Sequence, residues 1–275
     1  MRAFLLLGCL SWVALGADSR EIVRKALELD GQNSKLAQNY TFLQRQETRE
    51  LEHGGKVKSR KIETWDITWL EGSPYRRLVA RDDRPLSAEE QQREEEKLHW
   101  NLEERRKETS EQRERRIAEW RRRQQRQREP FHELLDAFDF TPAVEEQLNG
   151  RQVYRIEGTP RPGYKPKSTF GAFLPKVKLR LWIDARDLQG ARIEIEAVDS
   201  ISFAGFLARL EKGSRIIVDQ TRVNDEVWLP RSVSVTAAAR LLLVKSLNRE
   251  MEFTFSDYKK FQADSQVTAY QPLEH

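Results

Sequence analysis

The chain has 275 residues, is 38% hydrophobic and 33% charged, and carries 48 basic against 44 acidic side chains. That is enough for one large domain or two small ones, and its apolar content can bury one sizeable core. A net charge of +4 is a small difference between large numbers; it gives no reason to expect a nucleic-acid partner, and none is expected.

The first residues read as an export signal. Met1-Arg2 supplies positive charge, Ala3–Leu15 an apolar run, and Ala14-Leu15-Gly16 a small-x-small cleavage site. The expected organisation is therefore a signal peptide over 1–16, then a single β-domain over 17–275 interrupted by a charged helical insertion at 86–129. Leu6-Leu7-Gly8-Cys9 resembles a lipoprotein box. Few apolar residues precede it and the run continues past it, so anchoring at Cys9 is disfavoured. Cleavage after Gly16 would remove the one cysteine, leaving no disulfide to hold the exported, periplasmic domain. No later stretch is long and apolar enough to span a bilayer as a helix.

Ser19–Leu29 has the apolar stripe Ile22, Val23, Ala26 and Leu27 of a short helix that Asp30-Gly31 should end. Tyr40–Leu51 and Lys56–Leu70 read as a hairpin around His53-Gly54-Gly55, and Tyr75–Arg81 as a third strand. Leu86–Glu129 then runs between Pro85 and Pro130 with thirteen Lys/Arg, twelve Glu and six Gln, and with neither Gly nor Pro inside. Ser87 and Glu90 form a capping box at its start. Glu crowds its first part and Arg its last, which suits the helix dipole. A single helix there would be about 60 Å long at about 1.5 Å per residue. Its apolar residues are too sparse for a heptad seam, so it should project or lie along the surface with no long face buried.

Pro130 should open a short helix carrying Phe131, Leu134, Leu135 and Phe138. A strand at Arg151–Gly158 leads to the Pro/Gly-punctuated stretch Thr159–Pro175, which mixes Arg161, Lys165 and Lys167 with Tyr164, Phe170, Phe173 and Leu174. Alternating strands follow at Val177–Asp184, Ala191–Val198, Ser202–Glu211, Ser214–Val223, Val227–Ala239 and Arg249–Tyr258. About nine or ten strands with short turns predict an antiparallel meander, apolar on one face and wet on the other.

Catalytic and metal signatures are absent from the pattern. His53, His99, His132 and His275 have no metal-ligand spacing, and no cofactor or metal is expected. Ser256-Asp-Tyr-Lys259 matches an acyl-enzyme pattern but closes a strand, where that chemistry needs a helix. Glu194 with Glu196, and Asp184 with Asp187, read as cross-strand charge pairs on a wet face. An enzyme is the reading these residues support least.

Four stretches carry a resemblance: Gly158-Thr-Pro-Arg-Pro-Gly-Tyr164, Leu181-Trp-Ile-Asp184, Val223-Asn-Asp-Glu-Val-Trp-Leu-Pro230 and Phe255-Ser-Asp-Tyr258. Through them the chain resembles the LolA/LolB-like superfamily of periplasmic outer-membrane lipoprotein-sorting proteins, in its poorly characterised bacterial branch. The resemblance covers most of the chain outside Leu86–Glu129. It implies a mainly β fold with α: a curved antiparallel sheet, or incomplete β-barrel, with covering helices and here a long charged helical insertion. It further implies a non-enzymatic carrier or sensor that holds acyl chains of lipids or lipoproteins in an apolar concavity. Leu179, Leu181, Ile183, Ile193, Ile195, Met251, Phe253 and Phe255 alternate with polar residues and are the candidate cavity residues. Tyr164, Phe170 and Phe173 are the candidate lid. The alternative is a cell-envelope scaffold whose charged helix meets an envelope protein or an anionic membrane surface.

Overall fold

The computed structural model of the chain describes residues 18–52, 54–168, 170–203, 208–241 and 245–261. The expected signal peptide, with Cys9, lies outside the described residues, as do His53 and His275. Helix α1 spans Ser19–Ala37 and leads into strands β1 (Tyr40–Leu51), β2 (Val57–Leu70), β3 (Ser73–Arg81) and the short β4 (Arg84–Pro85). Helices α2 (Ala88–Lys107) and α3 (Ser110–Ala137) follow, then β5 (Phe138–Phe140), β6 (Val144–Leu148) and β7 (Arg151–Pro160). A 3-10 segment at Phe170–Lys176 precedes β8 (Val177–Asp184), β9 (Gly190–Ala197), β10 (Ile201–Phe203) and β11 (Ala208–Leu210). The chain continues through β12 (Arg215–Val223), β13 (Val227–Leu241) and β14 (Lys245–Lys260).

The fourteen strands among the described residues belong to one curved antiparallel sheet that stays open, with β4 and β5 at opposite edges. Its path is β4-β3-β2-β1-β14-β13-β12-β9-β8-β7-β5. Sequence neighbours pair almost throughout, as short turns require. The pairing of β1 with β14 joins the N-terminal hairpin to the C-terminal meander.

Directly opposed residues of antiparallel strands share a face. One such row runs Ile156, Leu181, Ile193, Val218, Val233 and Phe253 from β7 to β14. A second runs Leu179, Ile195, Ile216, Val235 and Met251. Both turn polar at β1, where Phe253 meets Gln46 and Met251 meets Thr48. The face is therefore apolar over its C-terminal two-thirds. Ion pairs occupy the opposite face: Arg180 and Arg215 both engage Glu194, and Lys178 pairs with Glu196.

The buried core sits at the β7–β9 end. There Ile22 and Val23 of α1 and Leu134, Ala137 and Phe138 around the end of α3 cover Ile156, Leu179 and Leu181. Helix α1 runs past the predicted stop at Gly31 to Ala37. A glycine inside a helix costs only about 1 kcal/mol. The added turns are held by Asn33, whose Nδ2 donates to the Trp228 carbonyl at 2.8 Å and whose Oδ1 accepts from the Trp228 N–H at 2.7 Å.

The charged segment departs most from expectation. It is two helices, broken at Glu108, whose backbone is extended (φ −56°, ψ 135°). Thr109 and Gln112 form a second capping box that starts α3. Pro130 lies inside α3 instead of opening a new helix. Losing one backbone N–H is tolerated there because Phe131 and Leu134 beyond it pack into the core. Of the two expected placements, projecting or lying along the surface, the insertion takes the second. Arg105 and Arg116, on either side of the break, grip the β2–β3 turn. Arg105 Nη1 donates to the Leu70 carbonyl at 2.7 Å, and Arg116 donates to Ser73 Oγ at 2.6 Å and the Glu71 carbonyl at 2.9 Å. Trp120 stacks edge-on against Trp69 with ring centres 5.1 Å apart. Helix α3 thus reaches from β3 near one sheet edge to β5 at the other.

The stretch read as one strand, Ser202–Glu211, is instead a small hairpin in which β10 pairs with β11, Ile201 opposite Leu210. Residues 204–207 between them lie outside the described residues.

Candidate functional site

The apolar face and its two covering helices enclose a cavity of about 440 Å³. Strands β8 and β9 supply one wall with Leu179, Leu181, Ile183, Ile193 and Ile195. Val23, Ala26 and Leu27 of α1 and Pro130, Phe131 and Leu134 of α3 form the roof, and Phe173 and Leu174 close an end. Hydrophobic burial builds this site, because each wall residue comes from an alternating strand or a helical stripe that must face inward. Its polar lining is limited to Asp30, Arg128, Arg192 and Gln220. Asp30 and Arg128 form an ion pair that joins α1 to α3. Arg192 is held by Asp219 at 2.5 Å and lies over the Trp182 ring at 5.7 Å.

Of the eight candidate cavity residues, Leu179, Leu181, Ile183, Ile193 and Ile195 line the cavity together. Met251, Phe253 and Phe255 share the face but stand on β14, outside the lining and half-buried. Sequence alternation identifies a face; it does not say that β12 and β13 separate β9 from β14 along it. Phe255 packs edge-on against Phe42 with centres 5.8 Å apart. The helical half of the lining was missed as a site. Its signal was the stripe of Val23, Ala26 and Leu27 together with Phe131 and Leu134, which reads equally well as ordinary core.

The candidate lid divides in three. Phe173 lines the cavity. Tyr164 packs on the core and donates its hydroxyl to Glu133 of α3. Phe170 opens the 3-10 segment, and its side chain lies outside the described residues. Glu133 is buried and also accepts from the Lys167 N–H at 2.8 Å and from the Ser168 hydroxyl. Burial pushes this carboxyl up, but those donors outweigh it and hold the group at about 2. In turn, burial and the Glu133 carboxylate push the Tyr164 phenol up to about 12. Gly171 leaves room for the arrangement: a Cβ there would stand 2.5 Å from a Glu133 oxygen. The Pro/Gly-rich stretch is latched to α3 through the buried Glu133 and through Asp136, which pairs with Lys167 at 2.6 Å.

The other carboxylates considered for chemistry are engaged structurally. Asp184 is buried, bonded to Arg151 at 2.5 Å and to the Asp187 N–H at 2.8 Å. Burial raises its carboxyl, and Arg151 with the backbone donors more than reverses this. Ser256 and Lys259 lie on β14, opposite Leu43 and Thr41 of β1. Among the described residues, no group of His, Cys, Asp or Glu could hold a metal ion, and no helix is long and apolar enough to cross a membrane. Among the described residues, the cavity's lining has no hydroxyl, thiol or imidazole.

No family model matches the chain. A search of curated proteins also finds no match. Among solved structures it is similar to a Vibrio parahaemolyticus domain classed with outer membrane lipoprotein-sorting proteins, at 10% identity and a TM-score of 0.36, covering 89% of this chain and 95% of that one. It is similar to a DUF1329 family protein from Desulfovibrio piger at 11% identity and a TM-score of 0.31, with the same coverage of 89% and 95%. The MucA/MucB complex of Pseudomonas aeruginosa gives 10% identity and a TM-score of 0.24 over 90% of this chain. These values assign no cargo or partner to the chain. Its own sheet, open and antiparallel with helices against the apolar face, is the fold that the sequence resemblance implies.

Proposed function

We propose that the protein is an exported, non-enzymatic carrier or sensor that holds acyl chains of lipids or lipoproteins in the cavity beneath α1 and α3. The observation that carries this reading is the lining itself: about 440 Å³ bounded by aliphatic and aromatic side chains from two strands and two helices. Small-molecule sites usually span about 300–1,000 Å³ and are mostly apolar. An acyl chain gains about 0.8 kcal/mol for each methylene buried, so such a site needs no dedicated chemistry. Val218, Ile216 and Val235 continue the apolar face beyond the lining, half-buried or exposed, and give a longer chain somewhere to run. Native mass spectrometry of gently purified protein, with titration of a fluorescent fatty acid, tests this. Co-purifying lipid or saturable binding is expected, and an empty protein that ignores the probe overturns the reading.

A second reading, a cell-envelope scaffold acting through the charged insertion, is favoured by one observation. Trp100 on α2 is 62% exposed, as an anchor for a partner would be, whereas Leu98 and Leu102 of the same helix are half-buried. Trp100→Ala should leave stability unchanged and abolish recovery of any partner in pull-downs. Identical recoveries with wild type and variant count against this role.

A further inference from the structure

A second depression lies along the outside of the roof, between α1 and α3, with a volume of about 630 Å³. It shares Leu27, Arg128 and Phe131 with the apolar cavity, so the two spaces lie on either side of these side chains. Their chemistry differs sharply. The cavity is mostly aliphatic and aromatic, whereas the groove sets Lys35, Arg121, Gln124 and Gln125 beside Trp120, Phe131 and Leu135. Lys35 and Arg121 are exposed and form no ion pair among the described residues. The acidic side chain of the groove, Glu28, is paired with Arg24. At Arg128, Nη2 bonds to Asp30, and a guanidinium has five N–H donors, enough for a ligand oxygen as well.

Resting on the acyl-carrier reading, we infer that the ligand is an anionic amphiphile. Its chain occupies the cavity under α1 and α3, and its carboxylate or phosphate head lies in the groove against Arg128, Lys35 and Arg121. Charge complementarity and the adjacency of the two spaces, which share Leu27, Arg128 and Phe131, support this assignment. A cationic head would meet uncompensated positive charge, and an uncharged head would leave these donors to water. The Asp30–Arg128 pair joins α1 to α3 between the two spaces, and Arg128 lines both of them.

Calorimetric titration of the detergent-free protein with dodecanoate, dodecyl phosphate, dodecanol and dodecyltrimethylammonium tests the assignment, with inorganic phosphate as the tail-free control. The two anions should bind about tenfold or more tighter than dodecanol, as charge-assisted hydrogen bonds give. The ammonium should bind weakest. In the Lys35→Gln/Arg121→Gln variant, whose changed residues are exposed and outside the apolar lining, the anion preference should shrink while dodecanol affinity holds. Equal binding of all four amphiphiles, or an undiminished preference in the variant, overturns the head-group assignment and leaves acyl-chain binding standing. Inorganic phosphate binding as tightly as dodecyl phosphate also overturns it. Absence of binding by any amphiphile overturns the carrier reading as well.

Discussion

The buried carboxylate of Glu133 on α3 accepts the backbone N–H of Lys167 at 2.8 Å, fixing the Pro/Gly-rich stretch to the helix that roofs the cavity. Its folded pKa of about 2 lies below the ordinary value of about 4.3. A depressed carboxyl stabilises the fold above the ordinary pKa, and that stability is lost as pH falls through the folded value. Glu47, surrounded by Arg60, Arg45 and Arg49, is also held at about 2, with the Arg60 bond the largest cause. Thermal unfolding should therefore show stability declining from about pH 4.3 toward pH 2. Glu133→Gln should lower stability at neutral pH by about 1–3 kcal/mol, since one donor is left facing another. It should also flatten part of the acid decline. An unchanged acid profile in the variant would show that Glu133 is not the latch.

Gly72 and Ile117 form a second tight contact. Gly72 has φ +85°, and a Cβ there would stand 2.8 Å from Ile117 Cδ1. Gly72→Ala should cost about 1–3 kcal/mol through the positive φ and the forced shift of Ile117. Ile117→Ala made alongside it should recover the steric part and leave the backbone part. A double-mutant cycle on chemical denaturation reads the difference. Strict additivity would mean that Ile117 does not rest on Gly72.

Arg116 bonds to Ser73, Glu71 and Glu108 at once. Arg116→Met keeps the aliphatic stem and removes every one of these bonds. We expect a loss of about 1–3 kcal/mol and faster amide exchange near the α2–α3 break. Exchange no faster than wild type would place the anchoring elsewhere.

The cavity can be filled without touching its roof. Ile193→Trp should reduce fatty-acid affinity at least about tenfold, because the added ring takes space the chain needs. The fold should survive, since Ile193 is half-buried against open volume. Phe253→Ser, on the same face but outside the lining, should affect binding far less. Equal losses from both would extend the site along the whole face to β14.

Much of the fold was legible along the chain. Alternation at Val177–Asp184 and the hairpin reading of Tyr40–Leu51 match the strand bounds residue for residue. The Ser87–Glu90 capping box is present with both of its bonds. Thr109-x-x-Gln112 was a comparable signal for the break before α3, masked by uninterrupted helix-forming residues around it. The five lining residues of β8 and β9 came from period-two alternation. Met251, Phe253 and Phe255 came from the same rule, which ranks faces and is silent on which strands the helices cover.

By itself, the sequence determined the period-two strands, the one-sided apolar face, the caps and the absence of recognisable catalytic spacing. Each depends on residues near one another in the chain, so local sterics and solvation fix it. The tertiary structure decided that β1 meets β14, that α1 runs on to Ala37 against Trp228, and that α3 carries Pro130 through a continuous helix into the core. It also decided that the charged insertion is clamped to the β2–β3 turn. These outcomes rest on contacts between residues far apart in sequence, where burial and specific hydrogen bonds outweigh local preferences of about 1 kcal/mol each. The cavity belongs to the same class: its walls were written in the strands, but its roof exists only where two distant helices come to lie across them.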